Sequence, residues 1–374
     1  MTHTAGSRLN LKITSIRIYR LNLARKDVFT IATMSLDKVE NVLIQIQTDE
    51  GIVGWGEASP FHALVGETQL IGLAAARELR DFLIGKNPLE IASLVKQMDE
   101  HLPHNPTIKS AFDMALYDIA AKAAGLPLWA FLGGTMRPLE TDFTISIGHT
   151  DEAGEKAKTV CDMGFRMIKV KVGINEREDL LRLQNIRKAV GDKPLLRIDA
   201  NQGWDRITAV NSLRRFEDLG VQFCEQPCRA TDMPGMKYVS HNSTIPVMAD
   251  ESLFSPYDAL TLIKEDAVTY FNIKLSKSGG ILNGLKIAHI AEAGSRLCMI
   301  GCMSESRLGL TASAHLALAS PAFRFYDLDS FVEHAEDPVI GGVTLKNGMV
   351  QFPDGPGLGA EPDPAFLKKL EEVK

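Results

Sequence analysis

Short β-rich runs recur eight times between residues 143 and 328, with helix-compatible stretches between them. Their spacing of roughly 25 residues is the cadence of a barrel of alternating strands and helices. The runs lie around Phe143 to Ile147, Met167 to Val172, Leu195 to Asp199, Phe223 to Gln226, Val247 to Asp250, Phe271 to Leu275, Cys298 to Gly301 and Phe325 to Leu328. A doubly wound open sheet also alternates strands and helices, but it would carry a Gly-rich dinucleotide turn. Neither Gly133-Gly134 nor Gly279-Gly280 has that spacing, and eight repeats suit a closed barrel better. The predicted class is α/β, a (β/α)7β TIM-like barrel.

The chain ahead of the barrel has a different pattern. From Leu11 to about Glu57 apolar and polar residues alternate, as at Ile16 and Ile18 and again at Val42, Ile44 and Ile46, with Asp49-Glu50-Gly51 as a turn. From about Thr68 to Ala123 the period becomes helical, and Gly125 and Pro127 stand where the last helix must stop. Strands followed by helices predict an α+β unit. Past the barrel, Asn347-Gly348 lies between Val343-Thr344-Leu345 and Met349-Val350-Gln351, a hairpin signal. The expected organisation is an α+β capping domain over 1–135, a catalytic barrel over 136–335, and a tail over 336–374 that returns to the capping domain.

A formal net charge of −6 with no dense run of Lys and Arg argues against nucleic acid or an anionic membrane as partner. Met1 to Lys12 lacks the apolar stretch of a secretory signal, and no segment offers a membrane-spanning apolar run, so a cytoplasmic location is expected. The five cysteines form no CxxC pair and read as small buried apolar residues.

In such a barrel the chemistry sits where strands give way to loops, so the polar residues closing each apolar run carry the argument. Asp199, Glu225 and Asp250 close three consecutive strands, which sets their carboxylates side by side at one mouth. A single Asp is more often a surface charge or a cap. Three in register need a cation, and oxygen donors suit a hard divalent ion such as Mg²⁺. Lys169 and Lys171 lie two apart on one strand and point the same way, into the barrel, because Ile168, Val170 and Val172 suit the helix-facing side. Burial beside a second ammonium should let Lys171 titrate low enough to act as a base. Lys274, four strands further round, approaches from the opposite side. A cation between two opposed bases suits removal of a proton next to a carboxylate, and bases on both faces allow racemisation or epimerisation.

These residues, together with Gly54-Trp55-Gly56-Glu57, Ala115-Leu116-Tyr117-Asp118, and Gly125-Leu126-Pro127-Leu128 through Leu132-Gly133-Gly134, resemble the enolase superfamily over nearly the whole chain. Within it the resemblance is to the muconate lactonising enzyme subgroup and its dipeptide epimerases. The resemblance implies Lys171 and Lys274 as the acid/base pair, Lys169 as the group holding the substrate carboxylate, and Asp199, Glu225 and Asp250 as Mg²⁺ ligands. Asn201 and Lys277 also fall in the pattern, with a supporting structural role equally in view.

Asp327 and Asp329 close the eighth run one residue apart and face the same way, a spacing that suits a cation. By resemblance they hold the ammonium of a dipeptide, a contact that N-acylamino acid racemases, succinylbenzoate synthases and muconate cycloisomerases do not need. A capping role for Asp329 is the plainer alternative. Members similar to the Ala-Glu epimerases carry an Arg in a mobile N-terminal loop. Here the aligned position is Met34, with Arg25 and Lys26 upstream, which implies neutral or hydrophobic dipeptides and places Met34, Phe61, Cys302 and Ser304 near the specificity pocket. Thr144 is a further substrate contact by resemblance, and Glu305 and His62 are weaker candidates. The competing class is a barrel that binds a ligand without turning it over. The resemblance also makes a homo-oligomer an expectation.

Overall fold

The computed structural model describes residues 10–374. Three long antiparallel strands open the chain: β1 (Ile13–Ile31), β2 (Met34–Thr48) and β3 (Val53–Ala58). Ile16, Ile18, Val42, Ile44 and Ile46 are buried, so the alternation seen in the sequence marks the covered face. That face packs on the helices Gln69–Leu83 and Pro106–Ala124, and Ile91–His101 packs against the second of these. That second helix begins with Pro106 in its first turn, where a missing N–H costs nothing, and stops at Gly125, which takes the left-handed conformation. Gly54 and Gly56 point at this helix. A Cβ on either would run into the carbonyl oxygen of Ala115 or Ala111, one helical turn apart, so only glycine lets the strand lie so close.

The barrel strands are β4 (Phe143–Ile145), β5 (Met167–Lys171), β6 (Leu195–Asp199), β7 (Val221–Glu225), β8 (Val247–Ala249), β9 (Tyr270–Ile273), β10 (Leu297–Ile300) and β11 (Phe323–Tyr326). They form one parallel sheet in sequence order, with a helix after each of the first seven. The two end strands meet through Asp142 N–H donating to the Tyr326 carbonyl (3.2 Å) and Leu328 N–H donating to Thr141 Oγ1 (2.7 Å), which curls the sheet into a barrel. Ile168, Val170 and Val172 are fully buried on the helix side, leaving Lys169 and Lys171 to point inward. Below the mouth, the Arg197 guanidinium stacks between Phe223 (5.2 Å) and Phe325 (5.4 Å) and pairs with Asp142 (2.7 Å). Phe223, Met248, Met299 and Phe325 then fill the interior, so the barrel has a solid floor and one polar end.

The tail contacts both parts. The hairpin Thr344–Lys346 and Met349–Gln351 lies against the entry to the barrel, with Thr141 N–H donating to the Gly348 carbonyl (2.9 Å). The last strand, Glu371–Glu372, pairs with β1. The hairpin between β1 and β2 turns at Ala32 and Thr33 and reaches over the barrel mouth, where Ile147 N–H donates to the Thr30 carbonyl (2.9 Å). No helix among the described residues is long and apolar enough to cross a membrane.

Candidate active site

The polar ends of the barrel strands load one cavity with charge. Lys169, Lys171 and Lys274 are all buried, and each is matched by acids from neighbouring strands. Lys169 Nζ lies 2.7 Å from Glu225, 2.9 Å from Asp327 and 3.3 Å from Asp199. Lys171 Nζ lies 2.6 Å from Asp199. Asp250 takes Lys274 at 2.7 Å on one oxygen and Lys277 at 2.6 Å on the other. Lys274 stands just past β9, opening the helical turn Leu275–Ser278, so its side chain leaves from a strand end and not from within the strand. Lys171 and Lys274 leave strands on opposite sides of the barrel and line the same cavity.

The charges do not cancel. Lys169, Lys171, Lys274 and Lys277 face Asp199, Glu225, Asp250, Glu251, Asp327 and Asp329, two more acids than cations. Burial, reinforced by Asp199, pushes Glu225 up to about 7, and burial with Asp250 pushes Glu251 up to about 8. Burial would also raise Asp250 and Asp199, but their lysine partners outweigh it and hold both below the usual carboxylate range. In turn Asp250 and Glu225 outweigh the burial of Lys274 and hold its proton firmly. The sequence reading set Lys171 beside Lys169 alone, whereas its ammonium is paired with the Asp199 carboxylate.

The surplus of acid fits a divalent cation. Glu251 Oε2 is buried with no hydrogen-bond partner among the described residues, and Glu225 Oε2 and Asp250 Oδ1 are held only by the charge of a lysine. All the donors are carboxylate oxygens, the set a hard ion takes. Asp199, Glu225 and Asp250 each lean on an ammonium here. Among the described residues the acid and thiol atoms within 4.8 Å of one another are instead those of Cys302, Asp327 and Asp329.

Asp327 and Asp329 form the opposite wall. Asp327 is tied to Lys169, and Cys302 Sγ lies 3.7 Å from Asp327 and 3.8 Å from Asp329. Asp329 makes no cap to the turn that follows it. Its carboxylate accepts the Thr144 N–H at 2.6 Å, joining β11 to β4. Burial first and Asp327 second push Asp329 up to about 7.

Thr144, Asn201, Cys302 and Ser304 line the cavity as expected, and so does Phe61. Met34 does not: it stands opposite Ile31 on β2 and packs against the cluster of Ile31, Phe61 and Met303. His62 is exposed at the start of a short helix, and Glu305 is buried behind the loop, where it accepts the Met303 N–H at 2.7 Å. The sequence reading missed Phe29, Ile31, Leu64, Met303, Ser330 and Glu333 as lining residues, and gave Arg25 only as a fallback. Between Ala24 and Phe29 the register of β1 slips, five steps along β1 against two along β2, from Lys38 to Leu36. That bulge re-aims Arg25 and breaks the alternation that would have revealed it.

Residues 13–133 match the mandelate racemase/muconate lactonizing enzyme N-terminal domain, and residues 152–366 match the enolase C-terminal domain-like family. The chain belongs to the mandelate racemase/muconate lactonizing enzyme family of the enolase superfamily. Within that family it is similar to the D-Ala-D/L-Ala epimerase of Cytophaga hutchinsonii, 40% identical over 96% of this chain and 99% of that protein. The hydrophobic dipeptide epimerase of Enterococcus faecalis is 37% identical over 93% of this chain and 99% of its own length. Among solved structures, the dipeptide epimerase of Cytophaga hutchinsonii complexed with Mg and D-Ala-L-Val superposes with a TM-score of 0.95, covering 97% of this chain and 99% of that one at 40% identity.

Proposed function

We propose that this protein is a Mg²⁺-dependent dipeptide epimerase that inverts the α-carbon of the C-terminal residue of its substrate. The observation that carries the reading is the meeting of three features in one cavity: lysines on opposite sides, a surplus of carboxylates at one edge, and the paired Asp327 and Asp329 at the other.

The residues divide the work as follows. Asp327 and Asp329 hold the substrate's ammonium, which fixes the dipeptide's direction. The C-terminal residue then reaches back to the barrel axis, with its α-carbon between Lys171 and Lys274. One lysine removes the α proton and the other returns a proton on the opposite face. Asp199, Glu225 and Asp250 hold the Mg²⁺, which when bound supplies positive charge to the substrate carboxylate as the α-carbon loses its proton. Lys169, pinned by three carboxylates, is oriented toward the same carboxylate. Asn201 donates to Glu251 (3.1 Å) and keeps that acid in place behind the metal ligands.

The preference we propose for the inverted residue is a neutral or hydrophobic side chain. Phe29, Ile31, Phe61, Leu64 and Met303 roof that part of the cavity, and burying an apolar side chain there is favourable at about 25 cal/mol per Å². The test is a dipeptide library incubated with enzyme and Mg²⁺ in heavy water and read by mass. Deuterium should enter at one α-carbon of apolar-terminated dipeptides. No uptake in any dipeptide would remove the epimerase reading, and equal turnover of Ala-Glu and Ala-Leu would remove the preference.

A pH dependence follows from the ammonium site. Asp329, raised to about 7, is neutral below that pH and cannot hold a charge-assisted contact, and it becomes an anion above it. The dipeptide's own amino group gives up its proton near about 8. Affinity for Ala-Leu, measured by calorimetry on a Lys274→Ala variant that does not epimerise it, should therefore peak between those values. An affinity constant across pH 5.5 to 7 would count against the assignment of Asp329.

A further inference from the structure

Arg25 is a guanidinium that the fold places in the cavity without completing its hydrogen bonds. The bulge in β1 turns it inward, and its side chain is 4% exposed. Nε donates to the Asp27 carbonyl at 3.3 Å, and the guanidinium carbon stacks 5.0 Å from the Phe29 ring centroid. Nη2 comes no nearer than 4.0 Å to Glu333, too long for a hydrogen bond, and among the described residues neither terminal nitrogen has another partner. A guanidinium carries five N–H donors in a planar fork matched to a carboxylate. Glu333, with a side chain 29% exposed, keeps its hydration. Arg25 therefore lines the cavity with its terminal N–H groups free to meet an acceptor on a ligand.

Its position says which part of a ligand would supply that acceptor. Arg25 lines the cavity with Asp329, Ser330 and Glu333, and the Phe29 ring lies near both it and Lys171, its centroid 5.0 Å from the Arg25 guanidinium carbon and 5.8 Å from Lys171 Nζ. This step rests on the epimerase reading given above. With the substrate ammonium at Asp327 and Asp329 and the inverted carbon between the lysines, the group next to Arg25 is the side chain of the first residue. The second residue's side chain lies under the apolar roof.

We propose that Arg25 forms a subsite for a carboxylate-bearing side chain on the dipeptide's first residue, so that the preferred substrates carry Asp or Glu first and a neutral residue second. Glu333 sets the strength of this preference by competing for the same guanidinium.

The test is a series of Xaa-Leu dipeptides, with Xaa as Ala, Glu, Gln or Lys, followed by α-deuterium uptake with Mg²⁺. The parent enzyme should favour Glu-Leu over Lys-Leu in kcat/KM by at least about tenfold. Arg25→Gln should lower the ratio of Glu-Leu to Ala-Leu by about tenfold or more, chiefly through KM, while Glu333→Gln should raise the same ratio. Opposite movements cannot come from a general loss of folding. A Glu-Leu to Ala-Leu ratio that Arg25→Gln leaves unmoved, or that both variants move the same way, overturns the subsite. If Ala-Leu exchanges and Glu-Leu does no better than Lys-Leu, the subsite fails and the epimerase reading stands. If no dipeptide exchanges, the epimerase reading itself fails.

Discussion

Replacing either lysine of the pair with alanine should lower epimerisation by at least about a thousandfold, the upper part of the range for a positioned acid or base. The more telling expectation concerns what each variant keeps. With one base on each face of the α-carbon, Lys274→Ala can still remove the proton that faces Lys171, and Lys171→Ala can still remove the one that faces Lys274. Each variant should therefore wash deuterium into one of the two diastereomers of a dipeptide such as Ala-Leu and leave the other unlabelled, with the two variants choosing opposite diastereomers. The packing makes this a fair test. Lys274 shares Asp250 with Lys277, so its removal still leaves that carboxylate an ammonium at 2.6 Å, and Lys171→Ala leaves Asp199 with Lys169 at 3.3 Å. Neither change strands a buried carboxylate without a cation, the outcome that would unfold the site. A collapse of the site would abolish labelling of both diastereomers. Labelling of the same diastereomer by both variants would mean that the two amines work from one side, and the two-base reading would be lost.

How legible this was in the sequence can be judged residue by residue. Lys169 and Lys171 were readable because a strand has a period of two and because three apolar neighbours, now seen fully buried against the helices, claimed the other face. The carboxylates were readable because parallel strands in sequence order bring their ends together without any information about loops. Partners that meet through space from separate loops were not. Lys277 reaches Asp250, and Asn201 reaches Glu251, by geometry that no spacing encodes. The substrate-facing part of the cap was missed for a different reason. The arm of β1 and β2 is a continuous hairpin whose bulge between Ala24 and Phe29 shifts which β1 residues face the cavity, while Met34, the position aligned by resemblance, stands on β2 opposite Ile31 and does not line it. Asp329 shows a third case. Its plain alternative was a local cap, yet its carboxylate serves Thr144 across the barrel closure, so a residue proposed to bind substrate also helps hold the ends of the sheet together.

Stripping the enzyme with a chelator should abolish α-proton exchange, and adding Mg²⁺ should restore it. The Asp250→Asn variant should fall by at least about a thousandfold in kcat/KM, equal to about 4 kcal/mol of barrier, and should not recover at high Mg²⁺. The reasoning starts from the surplus of acid. Six carboxylates face four lysines in a buried site, and the surplus shows in Glu225 and Asp329, both pushed up to about 7, and in Glu251, pushed up to about 8. A divalent ion cancels that surplus, so its binding should raise the thermal midpoint and release Glu225 and Glu251 as anions. Asp199 and Asp250, which would help hold that ion, are the carboxylates that pair here with Lys171 and Lys274 at 2.6 and 2.7 Å, so the metal site and the acid/base pair share their ligands. Asp250→Asn acts on both counts at once, because it removes one donor and leaves Lys274 and Lys277 without their shared carboxylate. Asp250 thus separates two roles for the carboxylates that wild-type activity alone would merge. If they serve only to balance the lysines, chelation leaves exchange intact and Asp250→Asn still lowers it. If they serve the ion, chelation alone stops exchange, and the midpoint of Asp250→Asn no longer responds to Mg²⁺.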